Sequence, residues 1–230
     1  MTEAERQLRA DALRNRERVL EAAATVFSER GLEVSVGEVA RLAGVGRGTL
    51  FRNFPTKQDL IAAIVSKRIG EAVVIGRELL ASGDPADGAF VFIAELVGRQ
   101  QRDRALFEGV AGESLTRPEV RGAVTQVLAV LDELLEAGKR AGTVRPEVGA
   151  LDVMMMVKGV CAAASALGDA GLDAVERHVD LICAAISTPA HARPLRGLTP
   201  TLASLELLGQ PGQPAGSESH GVTDASAGRG

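Results

Sequence analysis

The sequence predicts an all-α protein, and two observations support that fold class. Apolar residues recur every three to four positions along most of the 230-residue chain, which is the period of an amphipathic helix. No segment joins strict polar–apolar alternation to the Val, Ile, Thr and Tyr content that is typical of strands. Hydrophobic residues make up 46% of the chain, which is enough to form a sizeable core and argues against general disorder.

Capping residues and turn residues set the limits of the predicted helices. Ser35 and Glu38 have the spacing of a capping box that opens a short helix, and Gly44 ends that helix. Thr56 caps a long helix, and Asp84-Pro85 supplies a cap and a first-turn proline for the next one. The predicted helices cover residues 12–30, 35–42, 47–53, a long stretch from 56, and then 86–103, 105–112, 118–142, 147–167 and 172–186.

Chain breakers and composition divide the sequence into three segments. Residues 1–55 hold the first three predicted helices and end at Phe54-Pro55, where the residue before proline avoids the helical region. Residues 56–188 hold the longer helices and are expected to form a second helical domain. Residues 189–230 contain five of the nine prolines and seven of the 26 glycines, a composition that predicts a disordered tail.

The most informative segment is residues 35–57, which read SVGEVARLAGVGRGTLFRNFPTK. Ala43-Gly44-Val45 joins two short predicted helices, and a glycine-containing turn between such helices is typical of a helix-turn-helix. The outer side of the second helix is polar, formed by Arg47, Thr49, Arg52 and Asn53. These side chains suit the base edges of the major groove, which residues at the start of a recognition helix reach. The segment therefore predicts a DNA-recognition element.

Residues 16 to about 64 resemble the DNA-binding domain of the tetracycline-repressor (TetR) family of transcriptional regulators. The matching stretches are RERVLEAAATVFSERG (16–31) and VGEVARLAGVGRGTLFRNFPTKQDL (36–60), with a capping Ser35 before the second. The resemblance implies that Ser35 and Lys57 contact DNA phosphates. It also implies a set of groove-facing residues, with Arg47 and Asn53 as base readers: Arg47, Gly48, Thr49, Arg52 and Asn53.

The sequence departs from the family pattern at two points. The loop after Gly31 is one residue shorter than the commonest family spacing. Phe51 stands where the family usually has a Tyr, and the chain has no Tyr at all. Because phenylalanine cannot donate a hydrogen bond to the DNA backbone, we expect Phe51 to be a packing residue.

The N-terminal arm has two open interpretations. Five arginines and four acidic residues lie between positions 3 and 18. One or two of the arginines could contact phosphates, as N-terminal arms of DNA-binding domains do. The same pattern also predicts a solvated, ion-paired extension of the first helix.

The resemblance further implies an all-α ligand-binding and dimerisation domain behind the DNA-binding domain, and therefore a small-molecule effector. Aromatic, methionine and cationic residues are the candidates for its pocket, since methionine adapts to irregular ligand shapes. These candidates are Phe90, Arg99, Phe107, Met154, Met155 and Lys158. For any one of them, a place in the core or on a solvated charged face is the simpler account.

The last two predicted helices have the pattern of a dimer interface. An apolar stripe in the final helix lies beside a small-residue face in the preceding one, which suits the packing of two helices from each of two subunits. Filling of the chain's own core explains the stripe equally well, and the family resemblance favours the homodimer. The stripe is Val175, Val179, Ile182 and Ile186, and the small residues are Gly159, Ala162, Ala163 and Ala166.

Other chemistries have little support in the sequence. The glycine run at 44–48 lacks the preceding strand and the spacing of a dinucleotide site, and it lacks the Gly-Lys-Ser/Thr of a P-loop. No His, Cys, Asp and Glu cluster has metal-ligand spacing, so we expect no metal or cofactor. Cys161 and Cys183 are expected to be small buried hydrophobes. No apolar stretch approaches the roughly 18 residues that cross a bilayer, and the charged N-terminus does not resemble a secretory signal.

The expected protein is a cytoplasmic, homodimeric regulator without enzymatic activity. We expect a repressor that binds an inverted-repeat operator in double-stranded DNA and that an effector of unknown identity releases. Two other classes stay open. One is a helical enzyme or carrier with a helix-turn-helix, and the other is an interaction module whose tail docks a partner.

Overall fold

The computed structural model of the protein describes residues 2–42, 44–109, 117–167 and 169–196. Regular structure in these ranges is helical, apart from an isolated antiparallel bridge between Val144 and Ser187. The all-α prediction is therefore confirmed. The helices are α1 Glu3–Arg30, α2 Val36–Leu42, α3 Arg47–Asn53, α4 Lys57–Ala81, α5 Gly88–Arg102, α6 Arg104–Gly109, α7 Pro118–Arg140, α8 Ala150–Leu167 and α9 Asp169–Ile186.

Helix α1 begins well before residue 12, where the sequence predicted its start. The Thr2 hydroxyl accepts a hydrogen bond from the Glu5 amide (3.3 Å), and the Glu5 carboxylate accepts one from the Thr2 amide (2.7 Å). This capping box starts the helix at Glu3. Arg6 pairs with Glu3 at 3.0 Å, and Arg14 pairs with Asp11. The arm thus adopts the ion-paired helical extension.

Helices α2 and α3 have the predicted limits, and the turn between them depends on a glycine. Gly44 has a φ of +64°, which L side chains rarely adopt, and the Val45 amide donates to the Ala40 carbonyl at 3.0 Å. Only half of the predicted capping box forms at α2. The Ser35 hydroxyl accepts from the Glu38 amide (3.3 Å), whereas the Glu38 carboxylate pairs with Arg30 of α1.

Two hydrophobic clusters make up the core, and α4 contributes to both. The first cluster joins α1, α2, α3 and the Leu60–Val65 part of α4 to Leu106 and Val120. The second joins α5, α7, α8 and α9 to Ala72 and Val73 of α4. A single continuous helix therefore connects the helix-turn-helix to the remaining helices.

A glycine permits the close packing of α4 on α7. A Cβ at Gly76 would overlap the Val130 side chain of α7 and would lie 3.0 Å from the Phe92 ring of α5. Both Val130 and Phe92 are fully buried. Any larger residue at position 76 would therefore push these three helices apart.

Three other helix starts differ from the predicted positions. Helix α5 starts at Gly88 rather than 86, because the Asp84 carboxylate caps a preceding turn by accepting from the Ala86 amide at 3.1 Å. Helix α8 starts at Ala150 rather than 147, and α9 starts at Asp169 rather than 172. The predicted helix 105–112 corresponds to α6, and residues 110–116 lie outside the described ranges.

The first residues of the predicted tail contact the helices. Pro189–His191 form a 3-10 turn, and Arg196 binds Asp180 of α9 through its side chain (2.7 Å) and its backbone amide (2.7 Å). The His191 ring stacks on Phe90 with 5.3 Å between ring centroids. Residues 197–230 lie outside the described ranges, so the predicted disorder of that part stays a prediction.

Candidate DNA interface and ligand cavity

Helix α3 separates its buried residues from the predicted DNA-contacting residues. Leu50 is fully buried against α1, α2 and α4 in the first hydrophobic cluster, and so is Phe54 just beyond the helix. The predicted groove-facing residues are on the other side: Arg47, Gly48, Arg52 and Asn53 are exposed, and Thr49 is partly exposed. Two residues thus anchor α3, and its polar face points away from the protein.

The surroundings of Arg47 and Gly48 leave both residues available to DNA. The Arg47 guanidinium lies over Gly37 of α2, at the place where a larger residue would put its Cβ. Among the described residues, no carboxylate lies within ion-pair distance of Arg47. A Cβ at Gly48 would have no protein atom within 4 Å.

The predicted phosphate contacts lie at the starts of α2 and α4. Ser35 is exposed at the start of α2, and Lys57 is partly exposed as the first residue of α4. The Lys57 amine lies 6.0 Å from the centre of the Phe27 ring, so the core of α1 supports its position. The predicted phosphate contacts therefore lie at the starts of the helices that precede and follow α3 in the chain.

An ion pair from α7 supports the start of α4. The Asp59 carboxylate accepts hydrogen bonds from the Thr56 amide and hydroxyl (both 2.8 Å) and pairs with Arg117, which precedes α7. The Thr56 hydrogen bonds and the Arg117 charge lower the pKa of Asp59. Arg117 carries no signal in the sequence for this role, because nothing local links it to a residue 58 positions earlier.

The prediction that Phe51 is a packing residue is wrong. Its side chain is 47% exposed, because Leu50 and Phe54 already occupy the buried side of this short helix. Phe51 lies next to Arg52, on the outer part of α3. An apolar ring at this position can contact a thymine methyl group, which is an apolar element of the major groove.

A cavity of about 780 Å³ lies among α4, α5, α6, α7 and α8. Four of the predicted pocket residues line it: Arg99, Phe107, Met154 and Lys158. The structure does not bring the other two to the cavity. Phe90 is buried beneath His191, and Met155 is 75% exposed on the outer side of α8. The full lining is Val65, Arg68, Ile69, Ala72, Leu96, Arg99, Gln100, Gln101, Arg104, Phe107, Val120, Val124, Val127, Met154, Val157, Lys158, Cys161, Ala162, Ser165 and Ala166.

Two of the cavity's arginines are held by carboxylates that do not line it. Arg99 pairs with Glu95 at 2.7 Å and with Glu71 at 3.1 Å. Arg68 pairs with Glu71 at 3.2 Å and with Asp103 at 3.4 Å. These partners fix the guanidinium groups and balance much of their charge.

Lys158 and Gln101 are bound differently from the arginines. The Lys158 amine lies 5.5 Å from the centre of the Phe107 ring, and burial lowers its pKa, whereas the Cys161 thiol acts in the opposite direction. The buried Oε1 of Gln101 has no hydrogen-bond partner among the described residues. Gln101 was not among the predicted pocket residues, although it lies four positions after Val97 on the buried face of α5, where a polar residue is unusual.

A smaller cavity of about 580 Å³ lies between α1 and α4, next to Asn53. Its lining is strongly charged, and its Glu17 and Lys67 pair with each other at 3.0 Å. This internal pairing makes it a less suitable site for an organic ligand than the apolar cavity.

The apolar stripe of α9 belongs to the chain's own core. Val179, Ile182 and Ile186 are buried in the second hydrophobic cluster, so the predicted role of this stripe in a dimer interface is not supported. Other apolar residues remain uncovered on the same two helices. Leu151 (66% exposed) and Met155 lie on α8, and Leu181 (42% exposed) lies on α9.

The described residues hold no group of three or more His, Cys, Asp and Glu that could bind a metal ion.

Both cysteines are free thiols and are buried. Burial raises the pKa of Cys161 and, with the nearby Asp180 carboxylate, raises the pKa of Cys183 to about 11. In the described part of the chain, no helix is long and apolar enough to cross a membrane.

Comparison with known proteins gives matches to both parts of the chain. Residues 19–64 match the model of bacterial regulatory proteins of the tetR family. Residues 84–186 match the model of the C-terminal domain of SbtR-like transcriptional regulators. A crystal structure of a TetR transcription regulatory protein from Mycobacterium vanbaalenii is 37% identical; the match covers 79% of this chain and 99% of that one, with a TM-score of 0.60. The chain belongs to the TetR family.

Other TetR-family proteins share the fold or the first domain. A TetR transcriptional regulator from Streptomyces coelicolor is 26% identical, covering 76% of this chain and 99% of that one with a TM-score of 0.59. An HTH-type transcriptional regulator from Staphylococcus aureus is 39% identical over 61 residues, which is 26% of this chain and 33% of that protein. The chain thus matches about a third of the length of the curated relatives.

The two family matches include most of the candidate residues of this TetR-family protein. The predicted DNA contacts, Ser35 to Lys57, all lie within the first match. The cavity residues of α5 to α8 lie within the second match, whereas those of α4, from Val65 to Ala72, lie between the two matches. The family resemblance seen in the sequence is therefore confirmed, and the individual site residues remain proposals.

Proposed function

We propose that this TetR-family protein is a ligand-relieved repressor that binds an inverted-repeat operator as a homodimer. The observation that carries the proposal is the course of α4. This helix begins at Lys57, beside the candidate DNA interface, and its Val65, Ile69 and Ala72 line the cavity. A ligand in the cavity would therefore contact the helix that positions the DNA-binding surface.

On the DNA side, α3 acts as the recognition helix in the major groove. Arg47 and Asn53 read base edges, and Gly48, Thr49 and Arg52 lie against the groove. Ser35 and Lys57 hold the phosphates on either side and set the orientation of the helix. The exposed polar face of α3 and its buried Leu50 support this arrangement.

The homodimer uses the uncovered faces of α8 and α9. An inverted-repeat site requires two recognition helices related by a two-fold axis, which a symmetric dimer provides. Leu151, Met155 and Leu181 offer exposed apolar area, and the small exposed residues Gly159 and Ala163 of α8 allow close approach of a second copy. Two helices from each subunit then form a four-helix interface.

Release from DNA follows from a shift between two conformations. A ligand that binds better to the form with the wrong separation of recognition helices moves the population away from DNA. The Arg117–Asp59 ion pair connects the segment before α7 to the cap of α4. A change around α6 and α7 on ligand binding would therefore reach the Thr56 cap directly.

The protein acts by binding and not by catalysis, and it does so in the cytoplasm, where a bacterial chromosome lies. The test of the proposal is selection of genomic fragments by the purified protein, followed by sequencing. We expect the bound fragments to share an inverted repeat that one dimer occupies. Bound fragments without a common two-fold symmetric motif would contradict the proposal.

A further inference from the structure

We infer that the cavity takes an apolar organic anion, whose anionic group lies at the Lys158 amine and whose apolar body fills the space between α4 and α7. The inference rests on the proposed function only in taking this cavity as the effector site. It names the chemical class of effector, which neither the family matches nor the relatives specify.

The charge of the lining is the first argument. Among the described residues that line the cavity there are four cations, Arg68, Arg99, Arg104 and Lys158, and no carboxylate. The carboxylates that pair with Arg68 and Arg99 lie outside the lining. These pairs offset much of the charge of the two arginines, so the lining is mildly positive, and an organic cation would find no carboxylate among the described lining residues.

A ligand anion would supply the ion-pair partner that the Lys158 amine lacks among the described residues. In the described part of the chain, no carboxylate lies within ion-pair distance of its amine, which lies 5.5 Å from the centre of the uncharged Phe107 ring. Lys158 is an exposed residue overall, but desolvation of its amine at the cavity wall disfavours the charged form and lowers its pKa. An anionic ligand would offset this desolvation through a charge-assisted contact with the amine.

Gln101 adds a second polar contact. Its amide donates to the Cys161 thiol, and its buried carbonyl oxygen is left without a partner. Buried acceptors are normally satisfied, because an unsatisfied one costs free energy. A ligand that carries a hydroxyl or N–H near its anionic group would satisfy it.

Most of the remaining lining is apolar and therefore favours a ligand with an apolar body. Val65, Ile69, Val127 and Val157 are among the residues that surround the space. The volume of about 780 Å³ is within the range of sites for small organic ligands. An inorganic anion would leave most of this apolar wall in contact with water, so the site favours an amphipathic organic anion.

Two fluorescent probes that differ in one group test the inference. 1-Anilinonaphthalene-8-sulfonate and N-phenyl-1-naphthylamine share the rings and the N–H, and only the first has a negative charge. The chain has no Trp and no Tyr, so a Phe107→Trp variant carries a single reporter beside Lys158. Energy transfer from this Trp shows that either probe binds close to it, and the effect of Lys158 substitutions then tests whether the probe occupies the cavity.

The decisive measurement compares both probes on the reporter protein with and without Lys158→Met. We expect this change to weaken the sulfonate probe by roughly 10- to 100-fold and the neutral probe by less than about twofold. Lys158→Arg should restore most of the sulfonate affinity. Lys139→Met, which removes the same charge from α7 outside the cavity lining, should change neither probe. Gln101→Met should weaken both probes to a similar extent.

Three outcomes would overturn the inference. These are equal effects of Lys158→Met on the two probes, tighter binding of a cationic naphthalene amine, or no energy transfer with either probe. Failure of the proposed repressor function is separate from these results. If the sulfonate probe binds through Lys158 and operator affinity stays unchanged, the anion site stands and the relief mechanism is contradicted.

Discussion

At the scale of single residues, a substitution at Gly48 is expected to affect stability and DNA affinity in opposite directions. A Cβ at this position would contact no protein atom, and a glycine inside a helix is destabilising by roughly 0.5–1 kcal/mol relative to alanine. Gly48→Ala should therefore raise the free energy of unfolding by about that amount and weaken operator binding, because the new methyl group would meet the groove. Denaturant unfolding and fluorescence anisotropy with labelled operator measure the two effects.

Gly122 is the matched control for Gly48. It is exposed within α7, and a Cβ there also meets open space. Gly122→Ala should give a similar gain in stability and leave operator affinity unchanged. If both variants bind the operator as the unchanged protein does, Gly48 does not lie against DNA.

Arg47 and Lys57 are predicted to contribute to DNA affinity in different ways. Arg47→Ala should cost about 1–3 kcal/mol at the cognate site and relax the preference at one base pair, if its fork binds a guanine. Lys57→Ala should weaken binding to all sequences and flatten the dependence of affinity on salt, because one phosphate contact is lost. Titrations of cognate and random DNA at several salt concentrations separate the two; equal losses on both DNAs would reassign Arg47 to the phosphates.

The thiol of Cys183 is predicted to be unreactive in the folded protein. Its pKa is raised from 9.0 to about 11, so at pH 8 the thiolate, which is the nucleophile, is about 100-fold scarcer than for an unshifted thiol. Alkylation by iodoacetamide at pH 8, followed by mass spectrometry, should label Cys183 slowly in the folded protein and rapidly after unfolding in guanidinium. Fast labelling of the folded protein would show that the site opens readily.

At the scale of helices, α8 and α9 each have a face that packs in the chain's own core and an exposed face that we propose as the dimer interface. Met155→Arg should give monomers in sedimentation experiments with the helical content unchanged, because Met155 is exposed in the single chain. Ile182→Arg is the contrasting variant: Ile182 is buried, so an unpaired charge there should unfold the protein. An intact dimer of the Met155 variant would place the interface elsewhere.

The helices that were predicted accurately are those with strong local signals. The Gly44 turn and Phe54-Pro55 set the ends of α2 and α3 within the sequence itself. The start of α1 was missed because the Thr2–Glu5 cap precedes a charged stretch without an apolar face. The stripe of α9 was identified correctly as apolar, but periodicity does not tell whether the partner of a stripe is the same chain or a second one.

At the scale of the whole molecule, the proposed mechanism requires reciprocal coupling between the cavity and the DNA surface. An effector that lowers operator affinity by a given factor must bind the operator complex more weakly by the same factor. Effector titrations with and without saturating operator measure this. Arg117→Met should reduce both factors together, because it removes the contact between the segment before α7 and the α4 cap. An effector affinity that saturating operator leaves unchanged would contradict the proposed relief mechanism.

The net charge is distributed unevenly between the DNA-binding helices and the rest of the chain. The net charge is −4, yet the first 60 residues carry ten basic and nine acidic side chains. The acidity therefore lies in residues 61–188, which carry 13 basic and 18 acidic side chains, and DNA affinity depends on a few placed groups and not on bulk charge.

The sequence by itself determined the all-α class, the helix-turn-helix and the family, because turns, caps and a recognition motif are local in the chain. Only the tertiary structure decided which residues meet across long separations. It placed Arg117 on Asp59, gathered Arg68, Gln101 and Lys158 around one cavity, and exposed Phe51 while burying Ile182. The physical reason is that a residue's neighbours depend on how helices pack, and packing is a property of many side chains at once.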